Sequence, residues 1–103
     1  MADNVNACLW VIRHCEGTAG KDGYRTLFGG SLFDSFEDHP RIAKTFKLSK
    51  GGTLTSTAAG AYQILKGTWD NLVKIHGKSV LPDFSPSSQD RAAIELIRGR
   101  KAL

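Results

Sequence analysis

Long apolar runs are missing from this sequence. No stretch of its 103 residues approaches the ~20 consecutive apolar residues that a membrane-spanning helix needs. The opening, MADNVNACLWVI, has no basic segment ahead of its short apolar run, so no secretory signal peptide is expected. Cysteine is scarce: Cys8 and Cys15 are the whole set. Seven residues apart on one helix, their Cα atoms stand ~10.5 Å from each other, beyond the ~7 Å limit of a disulfide. Two free, mostly buried thiols are predicted, which suits synthesis in a reducing compartment. Internal repeats and low-complexity tracts are absent too. The three histidines, His14, His39 and His76, show no metal-ligand spacing with one another or with the cysteines. Gly29-Gly30 lacks the context of a phosphate-binding loop. No metal and no cofactor is called for.

What is present describes one small globular domain spanning 1–103. Hydrophobic residues are 41% and charged residues 23%, of mixed sign, enough for a modest core and too apolar for a disordered chain. The net charge of +4 favours polyanionic partners without choosing among them. Arg41, Lys44, Lys47 and Lys50 form the largest basic excess, just after the acidic Asp34, Glu37 and Asp38. Two solvated loop faces account for them better than a nucleic-acid patch. Neither nucleic acid nor membrane insertion is expected.

Residues 4–16 predict a helix. Val5, Cys8, Leu9, Ile12 and Cys15 recur at three- and four-residue steps, Asp3 or Asn4 is placed to cap the start, and Gly17 stops it. Trp10 extends or flanks the apolar face and reads as core. The loop GTAGKDG leads to YRTLF and SLFDSF around Gly29-Gly30, the pattern of a β-hairpin. DHPR is a turn, with His39 bonded to backbone. Residues 41–52 are ambiguous and end in a KGG turn. TLTST, 53–57, suggests a third short strand. AAGAYQILK, 58–66, is helical in composition despite Gly60. A second short helix over 68–77 has Trp69, Leu72, Val73 and Ile75 as core candidates. The last helix starts with Ser85 as N-cap and Pro86 in first position, with Ala93, Leu96 and Ile97 on its apolar side. The fold class is α+β: helices around a small antiparallel sheet.

Glu16 is the residue that raises a question. At the last turn of a helix it meets the negative end of the helix dipole, and apolar neighbours disfavour its charge further. Both favour the neutral acid, the form general acid catalysis requires. An exposed helix-end glutamate without a role is the plainer alternative.

Four segments decide between them. The Glu-Gly-Thr of CEGT, the stretch GYRTLFGGSLFDSFEDHP, STAAGAYQIL with Trp69-Asp70 soon after, and DFSPSSQDRAA resemble, in order and spacing, the phage lambda endolysin family of lysozyme-like lytic transglycosylases. The resemblance covers nearly all of the chain. It implies a lysozyme-like α+β fold and Glu16 as the catalytic acid. It also implies cleavage of the β-1,4 bond between N-acetylmuramic acid and N-acetylglucosamine of peptidoglycan in phage-type host lysis. In that reaction the muramic acid C6 hydroxyl attacks C1 and a 1,6-anhydro ring forms without water. The alternatives are a hydrolytic lysozyme and a non-catalytic wall-binding remnant. A glycosidase that uses water needs two carboxylates, and Asp34, Glu37 and Asp38 are unconvincing partners for Glu16.

Gly60-Ala61-Tyr62-Gln63 resembles the family's G-x-Y-Q element. It implies that Gln63 donates to a sugar, while Tyr62 either walls the cleft or packs into the core. A close backbone approach accounts for glycine at position 60. Ser56 and Thr57 are weaker cleft candidates. The resemblance further implies a product made in the host cytoplasm that acts on the wall. Family members continue beyond the point matching Leu103, so the last helix is expected to show an unpartnered apolar side. A second copy, or a chain carrying the further segment, would cover it.

Overall fold

A computed structural model describes residues 2–99, with side chains from Asn6 onward. Helix α1 spans Ala2–Glu16, strands β1 and β2 span Lys44–Lys47 and Thr53–Ser56, and helices α2 and α3 span Lys66–His76 and Pro86–Gly99. The α+β expectation holds. The regular sheet is a two-stranded antiparallel hairpin with Phe46 opposite Leu54 and Thr45 opposite Thr55. No helix among the described residues is long and apolar enough to cross a membrane.

The core forms where α2, α3 and the connector between them meet. Trp69, Leu81, Phe84 and Gln89 are its largest fully buried side chains. The Phe84 ring meets the edge of Trp69 at 4.8 Å and also touches Phe33 and His39. Ala92 and Ala93 bury the face of α3. Their small side chains let neighbouring elements approach closely. At the start of α3, Ser85 Oγ accepts from Ser88 N–H at 3.4 Å, the expected N-cap geometry.

Several expectations are corrected. The stretch around Gly29-Gly30 is not a strand pair. It is a tight turn held by the single bridge Thr26–Leu32 and by Leu27 N–H to Ser31 C=O, after one 3₁₀ turn over Gly23–Arg25. The true hairpin lies later, in the segment left ambiguous: β1 pairs with the expected strand at 53–57. Residues 58–65 are not a helix. Within them, Ala59–Ile64 form a largely buried turn closed by the two-way bond between Ala59 and Ile64, and Leu65 is exposed. α2 starts at Lys66 rather than 68, and α1 starts at Ala2, ahead of Asp3 and Asn4. The side chains of those two residues and of Val5 lie outside the described residues.

Burial also differs in places. Cys8 and Cys15 are free thiols as expected, but Cys15 is exposed and Cys8 only half-buried. Trp10 is 52% exposed and stacks on His14 at 5.0 Å, so it is not core. Trp69 and Leu72 are buried, whereas Ile75 is 65% exposed. α1 and α2 therefore present narrower apolar stripes than their sequences suggest, because each packs along one edge only.

Candidate functional site

Glu16 is the C-cap of α1. Gly17 takes a left-handed φ of +74°, its N–H bonds to His14 C=O, and Thr18 N–H bonds to Arg13 C=O at 2.8 Å. This is a Schellman close, which glycine makes without a Cβ penalty. It fixes the end of the helix and hence the place where the Glu16 side chain leaves it. The Thr18 hydroxyl, buried, sits between Arg13 C=O and Ala61 C=O. The end of α1 is thereby tied to the 59–64 turn.

That turn is what the G-A-Y-Q segment builds. Gly60 and Gln63 both take left-handed φ values, +82° and +50°. A Cβ at Gly60 would lie 2.2 Å from Gln89 Oε1, so the close approach expected there is real, and it is made by a side chain of α3. Gln89 Oε1 accepts from Ala61 N–H at 2.9 Å, and its Nε2 donates to Tyr24 C=O and Phe84 C=O. This buried amide is fully paired and joins three separate segments. Gln63 Nε2 donates to Thr26 C=O at 3.0 Å and Gly60 C=O at 2.9 Å. Both amide donors are engaged inside the protein, leaving Oε1 as the atom able to meet a ligand.

Tyr62 is buried, yet it also lines the cavity beside Glu16. Its hydroxyl accepts from Arg13 Nη1 at 2.8 Å and donates to Asp90 Oδ1. Tyr24 donates to the same carboxylate oxygen at 2.8 Å. The Arg13 guanidinium stands 6.0 Å from both ring centres. Burial, and next the bond to Asp90, push the Tyr62 hydroxyl well above the usual phenol range. Tyr24 is raised for the same two reasons. Arg13, Tyr24, Gln89 and Asp90 had no role assigned from the sequence. The available signal was Arg13, one helical turn before Glu16.

The cavity that Glu16 borders measures about 510 Å³. Ile12, Leu96 and Ile97 supply apolar wall from α1 and α3, and Tyr62, Gln63 and Thr68 supply polar groups. Glu16 is the one carboxylate among its lining residues, and it is exposed, so the apolar shielding expected for it is not seen. Asp34, Glu37 and Asp38 are elsewhere: Asp34 faces solvent near Arg25, and Asp38 caps His39 N–H and pairs with Arg41. The structure thus brings Glu16, Tyr62 and Gln63 together. Ser56, Thr57 and Gly60 are not among the lining residues. Ser56 Oγ accepts from Ala58 N–H, Thr57 Oγ1 accepts from Lys66 N–H at the start of α2, and Gly60 is buried against Gln89. Among the described residues no three His, Cys, Asp or Glu side chains converge on a metal position.

Comparison with known proteins places the chain in a family and a fold. The family model described as Endolysin matches residues 6–103. The endolysin of Escherichia phage lambda is 44% identical over 94% of this chain and 61% of its own length. A probable transglycosylase of Staphylococcus epidermidis, SceD, is 49% identical over 41% of this chain and 20% of its own. Among solved structures, bacteriophage lambda lysozyme complexed with a chitohexasaccharide superposes with a TM-score of 0.81 at 39% identity. It covers 96% of this chain and 64% of the lambda chain. This chain therefore spans under two thirds of the length of its lambda relative. With a family match over nearly every residue, and the helix-end glutamate and G-x-Y-Q turn held in one lysozyme-like frame, the chain belongs to the endolysin family.

Proposed function

We propose that this chain cleaves the β-1,4 bond between N-acetylmuramic acid and N-acetylglucosamine in peptidoglycan by lytic transglycosylation, as part of phage-type lysis at the host wall. The observation that carries it is that, among the described residues, Glu16 is the one carboxylate lining the cavity. A hydrolase of either stereochemistry uses a second carboxyl group across the bond, to activate water or to attack the sugar. An intramolecular nucleophile makes that group unnecessary.

Glu16 in its neutral form protonates the glycosidic oxygen as the bond to C1 breaks. The muramic acid C6 hydroxyl closes on C1 and gives its proton to the Glu16 carboxylate, which restores the acid. No water is consumed. Tyr62 walls the site, and Gln63 Oε1 accepts from a sugar hydroxyl or amide N–H. The glycan in the lambda lysozyme structure and the name of the staphylococcal relative support the substrate class and the reaction.

The test is mass spectrometry of products from purified peptidoglycan, with Glu16→Gln alongside. Products one water lighter than hydrolysed ones, lost in the variant, are expected. Hydrated products would make it a lysozyme. No product from the wild-type chain, with retained pelleting on insoluble wall, would leave a binding remnant.

A further inference from the structure

The end of α1 is fastened to the 59–64 turn at two points. At the first, the buried Thr18 hydroxyl contacts Ala61 C=O. At the second, Arg13 Nη1 donates to the Tyr62 hydroxyl at 2.8 Å, and that hydroxyl donates to Asp90 Oδ1 on α3. Glu16 stands between residues 13 and 18, so the two fastenings bracket it. We infer that Arg13 and Asp90 are positioning residues for the proposed reaction: a charge pair bridged by the Tyr62 hydroxyl locks the Glu16 end of α1 against the turn that carries Tyr62 and Gln63. The inference rests on the reading of Glu16 as the acid.

The bridge needs all three members. A phenol has one proton to give. To accept from Arg13, Tyr62 directs that proton elsewhere, and Asp90 Oδ1 receives it. Tyr24 donates to the same oxygen at 2.8 Å, which holds the carboxylate in place. None of the ion pairs among the described residues involves Arg13. Its counter-charge is Asp90, met across the phenol oxygen. Arg13 and Asp90 are both half-buried. Without the carboxylate, the guanidinium loses its compensation and gains by turning to water, which releases Tyr62.

The turn itself does not depend on this bridge. It is closed by the Ala59–Ile64 bonds, Gln89 Oε1 holds its Ala61 N–H, and the Gln63 side chain is tied to Thr26 and Gly60. Breaking the bridge therefore leaves the groups that face the sugar in place and frees the acid. Thr18 remains as a single tether, about which a helix end can pivot. A displacement on the order of 1 Å at a reacting group costs roughly 10²-fold in rate. The loss falls on kcat, because the substrate contacts of the turn persist.

The test is a double-mutant cycle of Arg13→Gln and Tyr62→Phe, with Asp90→Asn and the control Arg91→Gln, each first shown folded by circular dichroism. Arg91 neighbours Asp90 on α3 and pairs with Glu95 at the surface. The readouts are kcat and KM on purified peptidoglycan, and amide hydrogen exchange at Thr18, whose N–H bonds to Arg13 C=O. Arg13→Gln, Tyr62→Phe and Asp90→Asn should each lower kcat by roughly 10- to 100-fold with KM within about twofold. The Arg13–Tyr62 double variant should be no slower than either single one, since both break one tether. Exchange at Thr18 should quicken about tenfold in all three, and Arg91→Gln should match the wild type. Wild-type kcat in Tyr62→Phe or Asp90→Asn, additive losses in the double variant, a rise in KM alone, or an equal loss in Arg91→Gln would each overturn the inference. Asp90→Asn keeps the shape and an acceptor oxygen, and it decides the matter if the other variants do not fold. A wild-type chain that cleaves nothing would remove the proposed function instead. Exchange then decides the bridge without turnover: faster exchange at Thr18 in the three variants upholds it, and unchanged exchange overturns it.

Discussion

Gly60 and Gln89 occupy adjoining space with no room for a methyl group between them: a Cβ on the glycine would stand 2.2 Å from the glutamine Oε1 and 2.8 Å from its Cδ. Gly60→Ala meets both this clash and a left-handed φ of +82°. It should lower stability by about 2–4 kcal/mol, read by urea unfolding. Gly67 is the opposite case. It lies in the first turn of α2, with open space where a Cβ would go, and Gly67→Ala should stabilise by about 0.5–1 kcal/mol.

The paired tyrosines set an alkaline limit. Tyr62 and Tyr24 are the only tyrosines in the chain, and both are raised, by burial first and then by bonds to Asp90. The folded state favours the neutral phenols. Their contribution is complete below the unfolded value of ~10 and is lost as pH rises through the folded values. Tyrosinate absorbance should therefore appear late and together with unfolding. Tyr62→Phe should flatten that alkaline slope and lower neutral-pH stability by about 1–2 kcal/mol.

His39 sets an acid limit. It is 2% exposed, its Nδ1 accepts from Arg41 N–H at 2.9 Å, and its Nε2–H donates to Ile64 C=O at 2.7 Å. Burial, ahead of every other cause, lowers its pKa. The stability it confers is full above the unfolded value of ~6.5 and falls as pH drops toward the folded value. Unfolding midpoints should begin to fall below neutrality, before the carboxylate range. In His39→Asn that early fall should be missing.

A groove of about 390 Å³ runs along α1 and α3, lined by Ala7, Cys8, Val11, Ile12 and Ile97. It shares Ile12 and Ile97 with the cavity at Glu16. We expect it to bind an apolar fluorescent dye, with emission reduced in Val11→Asn. A further segment or second copy of the chain seated there would protect Val11 and abolish the signal. Scattering that shows a monomer with no dye response would remove the groove as an interaction surface.

The sequence announced α1 and its stop because Leu9 and Ile12 follow the helical period and Gly17 supplies a conformation no other residue takes freely. It misled over 58–66. There Ala58, Ala59 and Ala61 suggest helix propensity, but they are small because the turn is buried against its surroundings. Gln63 adopts a left-handed φ because Thr26 C=O and Gly60 C=O hold its side chain, a tertiary cause with no local sign. β1 was hidden because Lys44, Thr45, Phe46 and Lys47 form a largely exposed strand with a single apolar residue, so no apolar–polar alternation marks it. Of the site, Glu16 was legible through the helix end and the family resemblance. The Arg13–Tyr62–Asp90–Tyr24 network joins residues 11 to 66 positions apart, a separation that no local pattern records.

The Gln89 amide has a consequence in time. During synthesis the ribosome releases the Gly60–Gln63 turn before the residue that holds it. Until Gln89 emerges and α3 docks, Ala61 N–H, Tyr24 C=O and Phe84 C=O lack their shared partner. The wall of the cavity is thus finished only when α3 docks, and a nascent chain lacks this cavity until that helix has left the exit tunnel.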